Sequence, residues 1–338
     1  MKILVVGLGS MGKRRIRCLQ SLGVSDISGF DPRVDRQSEA VSAFGISMAK
    51  SIDCSMIAAF DAVIISVPPD KHHYYMQLCT EAKRSYFVEA SVIDEGLDAL
   101  DEAARTLNIV AAPSATLLFH PAVSRISKIA HDGQIGRVAN FIYHSGQYLP
   151  DWHPYEKVSD FYVSNPATGG AREIVPFEMS WLVRCFGWPE KVFCRMEKTV
   201  RIPGAEQIDD TYVLSLKFAS HPGIVVVDVV SRFATRSLTI VGDAGHLTWD
   251  WNDSSIKILN IKTGKMDTEA YQTGTAAIGY NPNIGEQMYI DEVDEFLKAC
   301  QGQGSFRNTL GEDAKILRLL LTSEESSRLG EDSWLRKS

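Results

Sequence analysis

Three glycines and one aspartate near the amino end have the types and spacing needed to bind a pyrophosphate. Gly7, Gly9 and Gly12 stand at G-x-G-x-x-G spacing in the run Gly7-Leu8-Gly9-Ser10-Met11-Gly12, and Asp31 follows roughly 20 residues later. Gly7 permits a tight turn, Gly9 lets the backbone approach a phosphate, and Gly12 lets a helix lie close to a sheet. A helix that begins here directs N–H groups and a partial positive charge at the phosphates.

The elements around this loop must be a strand, a helix and a second strand. Residues 1–6 are almost wholly apolar, which predicts a buried strand, and a helical pattern then runs to Leu22 and stops at Gly23. A second apolar stretch ends at Asp31. Strand, glycine turn, helix, strand and terminal acid form the dinucleotide-binding fingerprint in its structural context, so we expect an adenine dinucleotide.

The charges near Asp31 bear on which dinucleotide is bound. The Asp31 carboxylate would meet the ribose hydroxyls of NAD and would repel the 2′-phosphate of NADP. Arg33 and Arg36 could pair with such a phosphate, so NADP stays as the alternative to NAD. Ser10 and Met11 complete the contacts expected at the glycine loop.

A basic run, Lys13, Arg14, Arg15 and Arg17, follows the glycines. It could assist phosphate binding. The favoured interpretation is a solvated helix face opposite Gly12, Ile16 and Leu19, which have the spacing of an inward face.

Composition excludes several classes of protein. The 338 residues are 45% hydrophobic and 23% charged with a net charge of −7, which is ordinary for a globular protein and predicts no nucleic-acid partner. No apolar run is long enough to span a membrane, and the amino-terminal apolar stretch is a strand and not a signal peptide. The six cysteines are scattered without metal-ligand spacing, which indicates reduced thiols, no metal site and a cytoplasmic location.

The order of predicted elements gives the fold class. Strands alternate with helices up to residue 118, as in a doubly wound parallel sheet, the Rossmann architecture. From residue 119 onward, extended segments follow one another at 137–149, 191–200, 209–220, 223–234, 236–250 and 255–262. We therefore predict a Rossmann domain at 1–118 and an α+β domain with a large, mainly antiparallel open sheet at 119–338. The glycine-rich stretch 264–285 is expected to be a surface loop.

Two strand ends of the first domain carry further candidate ligand contacts. The strand at 62–67 is followed by Pro68-Pro69-Asp70-Lys71-His72, and the strand Tyr86-Phe87-Val88 by Glu89. Ligands bind at this edge of open α/β sheets, so Val67, Pro68, His72 and Glu89 are expected near the cofactor. For His72, and for His120 in the second domain, holding a loop is favoured over chemistry.

The chain resembles the Gfo/Idh/MocA family, named after glucose-fructose oxidoreductase and inositol dehydrogenase. The resemblance rests on the first domain, Phe119-His120-Pro121, the run 133–138 (GQIGRV) and the run 240–247 (IVGDAGHL). The run 148–154 (YLPDWHP) resembles a branch associated with surface-sugar biosynthesis. The resemblance implies hydride transfer between a nicotinamide cofactor and a sugar, inositol or nucleotide sugar. It also implies a homo-oligomer, a dimer or tetramer, formed through the open sheet.

Two family hallmarks are altered. Where the family usually has Glu-Lys-Pro, this chain has Glu89-Ala90-Ser91. The family's glycine pair is kept at 169–170, but its acid/base histidine aligns with Phe177, and its aspartate aligns with Ile174 or, after a one-residue shift, Glu173. Alanine and phenylalanine transfer no protons, although a positioned base is worth roughly 10²–10⁴-fold in rate. Cofactor binding does not require either residue.

Three functions remain open on these residues. The favoured one is an oxidoreductase with a rebuilt acid/base, in which family placement makes Glu89, His153, Glu173 and Glu178 the catalytic candidates. His153 is the most suitable single proton carrier, since histidine titrates near neutrality. An ordinary loop histidine is an equal alternative. Tyr148, Asp151 and Arg172 are the candidate substrate contacts.

The second function is a catalytically inactive NAD-binding protein with a regulatory or scaffolding role in a sugar pathway. The third is a lyase or epimerase that uses tightly held NAD transiently. Replacement of the lysine and the histidine favours the second, whereas the intact glycine fingerprint favours an enzyme.

Overall fold

The computed structural model describes residues 1–152, 156–261, 263–276 and 285–335. The chain divides into two compact units, one of Met1–Phe119 with Gly285–Lys315 and one of His120–Ile284 with Ile316–Ser338. The boundary expected from the sequence, at 118/119, assigned all of 119–338 to the second domain. The structure places Gly285–Lys315 in the first unit, for a reason given with the site below.

The helices and strands follow one another as expected for a Rossmann unit and then a sheet-rich unit. In chain order they are β1 (Lys2–Val6), α1 (Ser10–Ser21), β2 (Asp26–Phe30), α2 (Val34–Phe44), β3 (Ser47–Met48), α3 (Cys54–Ile57), β4 (Ala62–Ile65), α4 (Pro69–Glu81), β5 (Ser85–Val88), α5 (Leu97–Leu107), β6 (Ala111–Pro113), α6 (Pro121–His131), β7 (Val138–Tyr148), α7 (Ala171–Phe186), β8 (Lys191–Glu197), β9 (Thr211–Lys217), β10 (Pro222–Asp228), β11 (Val230–Gly242), β12 (Gly245–Asp250), β13 (Ser255–Asn260), β14 (Lys265–Ala270), α8 (Gln287–Cys300), α9 (Leu310–Leu329) and β15 (Ser333–Trp334). None of the described helices is both long and apolar enough to cross a membrane.

The first unit is built on a six-stranded parallel sheet in the order β3-β2-β1-β4-β5-β6. Strands β1 and β4 are buried along nearly their whole length, as expected of parallel strands covered on both faces. The order reverses on either side of β1 and β4, and ligands of such sheets bind at the carboxyl ends near this point. The glycine loop leaves β1 at this edge.

The second unit is built on a nine-stranded sheet in the order β14-β13-β12-β11-β7-β10-β9-β8-β15. Only β10 and β7 pair in parallel, and the remaining pairs are antiparallel. Helix α7 covers one face, where Trp181 packs edge-on against Tyr143 at 5.2 Å. The alternating side chains point to the opposite face, where Ile142 is 55% exposed. The predicted fold class, a Rossmann domain with an α+β domain, is confirmed.

Two expectations about the second sheet are wrong. The stretch 264–285 is not all loop, because Lys265–Ala270 forms β14, an edge strand paired with β13. The segment expected at 236–250 is two strands, β11 and β12, which are joined by a tight turn at Asp243-Ala244. β14 has no apolar pattern, so its pairing partner and not its own sequence makes it a strand.

Candidate functional site

The glycine loop has the backbone geometry that its spacing predicts. Gly7 has φ of +88°, and a Cβ there would lie 2.4 Å from the Ser66 carbonyl oxygen. A Cβ on Gly12 would lie 1.8 Å from the Gly7 carbonyl oxygen, so α1 begins in backbone contact with the loop. At Gly9 the nearest atom to such a Cβ is Arg36 Nη1, at 3.4 Å. Gly7 and Gly12 are therefore required by the fold, whereas Gly9 leaves room for a ligand.

The amino end of α1 suits a phosphate. The N-cap residue is Gly9, and no side chain among the described residues caps the helix. The first N–H groups of an α-helix have no partner inside the helix. A cradle that a Cβ would fill and an uncapped helix end together fit the pyrophosphate of a dinucleotide. Ser10 and Met11, also expected at this loop, are the first two residues of α1.

Asp31 is buried at the end of β2, beside the glycine loop. Its Oδ2 accepts a hydrogen bond from the Leu8 N–H at 2.8 Å, and its Oδ1 accepts one from the Arg33 N–H at 2.9 Å. The Arg33 side chain turns away and pairs with Asp35. The Arg36 guanidinium lies 3.8 Å from Asp31 Oδ2. Of the two arginines considered for a 2′-phosphate, only Arg36 lies beside the loop.

His72 holds the end of the neighbouring strand. Its Nε2 lies 2.9 Å from the Val67 carbonyl oxygen, which can only accept, so Nε2 carries the hydrogen. Burial lowers the pKa of His72 and keeps the ring neutral. Pro68 is the N-cap of α4, so Val67, Pro68 and His72 form one fixed turn after β4. This arrangement agrees with the favoured role of holding the loop.

Glu89, at the end of β5, forms a bidentate ion pair with Arg15. Arg15 Nε lies 2.7 Å from Oε1, Arg15 Nη2 lies 2.9 Å from Oε2, and Ser66 Oγ donates to Oε1 at 3.1 Å. Arg15 Nη1 also binds Glu292 Oε2 at 2.8 Å. Arg15 and Glu292 are both fully buried, and Glu292 accepts further hydrogen bonds from Thr116 Oγ1 and the Ala115 N–H.

The basic run is therefore not a solvated face at Arg14 and Arg15, although Lys13 stays at the surface. Arg14 and Arg15 are 2% and 0% exposed, and Arg14 and Arg17 both pair with Glu286. The expectation is wrong because acids far along the chain, on α8 and just before it, supply the partners. The same pairs explain why Gly285–Lys315 belongs to the first unit, since Glu292 without Arg15 would be a fully buried carboxylate with no cation beside it.

Glu173 lies in the first turn of α7, directly after the glycine pair. The Tyr162 hydroxyl donates to Glu173 Oε1 at 2.6 Å. Glu173 Oε2 is shielded from solvent and has no hydrogen-bond partner among the described residues. This burial raises the pKa of Glu173 to about 7. A carboxyl group with this pKa can both take and give a proton near neutral pH.

Glu178, five residues further on, is enclosed in the core. Oε1 accepts from Ser145 Oγ and Arg236 Nε, both at 2.8 Å, and Oε2 accepts from the Tyr143 hydroxyl at 2.6 Å. Burial and the Glu178 charge raise the pKa of Tyr143. Both oxygens of Glu178 thus hold the sheet to α7.

The remaining candidates are described by their own contacts. Arg172 Nε binds Glu324 at 2.6 Å, and its Nη1 donates to the Ala167 carbonyl at 2.7 Å. The Tyr148 ring lies under the Arg232 guanidinium, 3.9 Å from its carbon. Asp151 is exposed in a short 3-10 turn after β7. His153 lies outside the described residues. His120 caps α6 through Nδ1, and burial lowers its pKa to about 4.

Sequence reasoning missed Tyr162 and Arg15. Tyr162 precedes the glycine pair with no spacing that would single it out, and Arg15 is one of four basic residues between positions 13 and 17. Only their partners distinguish them. No group of metal-ligating side chains was found among the residues that the structure describes.

Comparisons with known proteins agree with this architecture. Residues 1–112 match the model of the Gfo/Idh/MocA oxidoreductase family, NAD-binding Rossmann fold, and residues 123–248 match the model of the Gfo/Idh/MocA C-terminal domain. No curated protein sequence matches significantly.

Solved structures match over almost the whole chain. A levoglucosan dehydrogenase complex with NADH is 18% identical with a TM-score of 0.85, covering 100% of each chain. An Agrobacterium radiobacter oxidoreductase in complex with NAD⁺, L-tartaric acid and magnesium is 12% identical with a TM-score of 0.86, covering 99% of this chain and 98% of its own. A Kribbella flavida oxidoreductase domain protein is 17% identical with a TM-score of 0.83, covering 100% and 99%. Identities this low show a shared fold only.

Proposed function

Since the chain belongs to the Gfo/Idh/MocA oxidoreductase family, whose amino-terminal domain binds NAD, we propose that it is an NAD-dependent oxidoreductase of a sugar, nucleotide sugar or related polyol. The reacting group is a secondary alcohol or the carbonyl formed from it. One observation carries the proposal: Glu173 offers a buried carboxyl group with an unpartnered oxygen and a pKa of about 7.

The first unit holds the cofactor in this proposal. Gly7, Gly9 and Gly12 with the amino end of α1 would hold the pyrophosphate, and Asp31 the adenosine ribose. NAD⁺ supplies the hydride acceptor when bound. We propose NAD over NADP because the buried Asp31 carboxylate stands at the ribose position, although Arg36 lies close to it.

Glu173 supplies the proton transfer. During oxidation the carbinol hydrogen would leave with the electron pair of its C–H bond as hydride, for which bound NAD⁺ would be the acceptor, and the hydroxyl proton would pass to Glu173 Oε2 as the C=O bond forms. Reduction runs the same transfers in reverse. Glu173 lies one helical turn before Phe177, on the same face of α7. By the resemblance described above, Phe177 aligns with the family's acid/base histidine. A carboxyl group on this face compensates for the histidine.

The other catalytic candidates are less suited to proton transfer. Both oxygens of Glu89 and both oxygens of Glu178 accept hydrogen bonds from arginine, tyrosine or serine. Protonating either carboxylate would break a bond that holds the fold. His153 stays a candidate by its family placement, and Tyr148 and Asp151 stay our proposed substrate contacts.

Replacing Glu173 by Gln tests the proposal. UDP- and CMP-linked sugars are screened by the absorbance of the nicotinamide, and turnover is followed against pH. We expect kcat/KM for oxidation to rise as pH rises through about 7, because the base must be ionised. Glu173→Gln loses roughly 10²–10⁴-fold in kcat and loses this pH limb. NADH binding, measured by calorimetry, stays the same and is tighter than NADPH binding.

Glu325→Gln, an exposed carboxyl on α9, is the matched control and leaves turnover unchanged. A Glu173→Gln variant as active as the wild type would refute the acid/base assignment.

The second candidate, an inactive NAD-binding protein, is favoured by Ala90 and Phe177. It predicts NADH binding with no turnover of any sugar by the wild type. Turnover that appears only in the double variant Ala90→Lys, Phe177→His would establish it.

A further inference from the structure

The backbone of Tyr162 is fixed against the start of α7. Tyr162 begins a short 3-10 turn, Tyr162–Ser164, which folds back onto Gly169. A Cβ on Gly169 would lie 2.1 Å from the Val163 carbonyl oxygen, so the close approach requires glycine there. Thr168 Oγ1 donates to the Tyr162 carbonyl at 2.9 Å. The turn therefore carries Tyr162 to a set position over the first turn of α7.

From this position the phenol selects one oxygen of Glu173. The Tyr162 hydroxyl donates to Oε1 at 2.6 Å, a short bond typical of a charge-assisted O–H···O⁻ contact. Oε2 is left shielded from solvent and without a partner in the described chain. Buried polar oxygens without partners are rare in folded proteins, and a substrate hydroxyl would supply the missing partner.

Resting on the proposed function, we propose that Tyr162 is the positioning residue of the acid–base site, holding Glu173 by Oε1 so that Oε2 alone receives the proton of a neutral substrate hydroxyl. The substrate group that contacts Oε2 is an uncharged, hydroxyl-bearing carbon of a polyol, because the Glu173 carboxylate would repel an anionic group at this position. Tyr162 does not itself exchange a proton with the substrate.

Among the groups around Glu173, Tyr162 is the side chain whose hydrogen bond changes the pKa of Glu173. Arg172, next in the chain, is paired with Glu324 on α9. Tyr212 also faces Glu324, at 3.4 Å, and Asp209 contacts the start of α7 through its backbone carbonyl. The Tyr162 hydrogen bond favours ionised Glu173 and opposes the effect of burial on its pKa.

Replacing Tyr162 by Phe removes this bond and moves the pH limb of oxidation upward. A shift of one pH unit lowers the ionised fraction about tenfold below the limb. We therefore expect kcat/KM to fall about fivefold at pH 7 and about tenfold at pH 6, and to recover at pH 9, with NADH affinity unchanged. Tyr271→Phe is the control, because it removes a comparable bond, from Trp249 Nε1 at 2.8 Å, elsewhere in the same unit. It leaves the profile in place.

A fluorotyrosine at position 162 keeps the hydroxyl and should move the pH limb in the direction opposite to that of Tyr162→Phe. Its more acidic phenol is a stronger donor, so the limb moves to lower pH. The inference is overturned if neither substitution moves the limb, or if Tyr162→Phe lowers turnover equally at every pH. In either case a Glu173→Gln variant that still loses the limb leaves the proposed function standing. A wild-type profile without the limb refutes both.

Discussion

Single residues decide where charge is held inside this protein, and Arg15 is the clearest example. Its guanidinium binds Glu89 and Glu292 together in a fully buried position. Replacing Arg15 by Met leaves the fully buried Glu292 carboxylate and the partly buried Glu89 carboxylate without their cation. We expect a loss of about 3–5 kcal/mol in the free energy of unfolding, measured by urea denaturation and circular dichroism.

Lys13→Met on the same helix is the matched control. Lys13 pairs with Glu39 on the surface, where an ion pair contributes little. Equal stability of the two variants would show that the buried network does not hold α1 to α8.

At the scale of elements, the glycine loop combines a folding role and a binding role that two substitutions separate. A Cβ on Gly12 meets the Gly7 carbonyl at 1.8 Å, whereas one on Gly9 meets only a flexible arginine at 3.4 Å. Gly12→Ala should displace α1, costing about 1–3 kcal/mol or more and abolishing NADH binding. Gly9→Ala should keep the stability of the wild type and weaken NADH binding at least tenfold.

Thermal unfolding and calorimetric titration of the two variants measure these effects. A Gly9→Ala protein that binds NADH normally would mean that the pyrophosphate does not approach the backbone at this glycine.

At the scale of the whole molecule, the open face of the nine-stranded sheet suits a second copy of the chain. Ile142 is 55% exposed and Val213 38%, and Ile142 is paired in register with Ile224 on the neighbouring strand. We propose a homo-oligomer that buries this face. Ile142→Lys should dissociate it to monomers, because each buried isoleucine contributes roughly 1.5–3 kcal/mol.

Light scattering with size exclusion measures the mass. Ile261→Lys, an equally exposed isoleucine in the turn after β13, is the control and keeps the oligomer. A wild-type monomer, or an oligomer that survives Ile142→Lys, contradicts the proposal.

The sequence alone determined the parts of this protein that local geometry specifies. The glycine loop was predictable because only glycine satisfies a positive φ at Gly7 and the close contact at Gly12. Helix α2 ends where its sequence indicates because Gly45 takes the left-handed conformation after it. These signals lie within a few residues of the structure they determine. The same local motifs also identified the family and its NAD-binding domain from the sequence.

Only the tertiary structure decided which charged residues are available for chemistry. Glu173 and Glu178 are both helical glutamates of α7, yet distant residues take both oxygens of Glu178, whereas Glu173 keeps one free. Arg15 is buried because it pairs with Glu292, which is 277 residues later in the chain but belongs to the same unit. Such pairings join positions from 33 to 277 residues apart, and no local pattern encodes them.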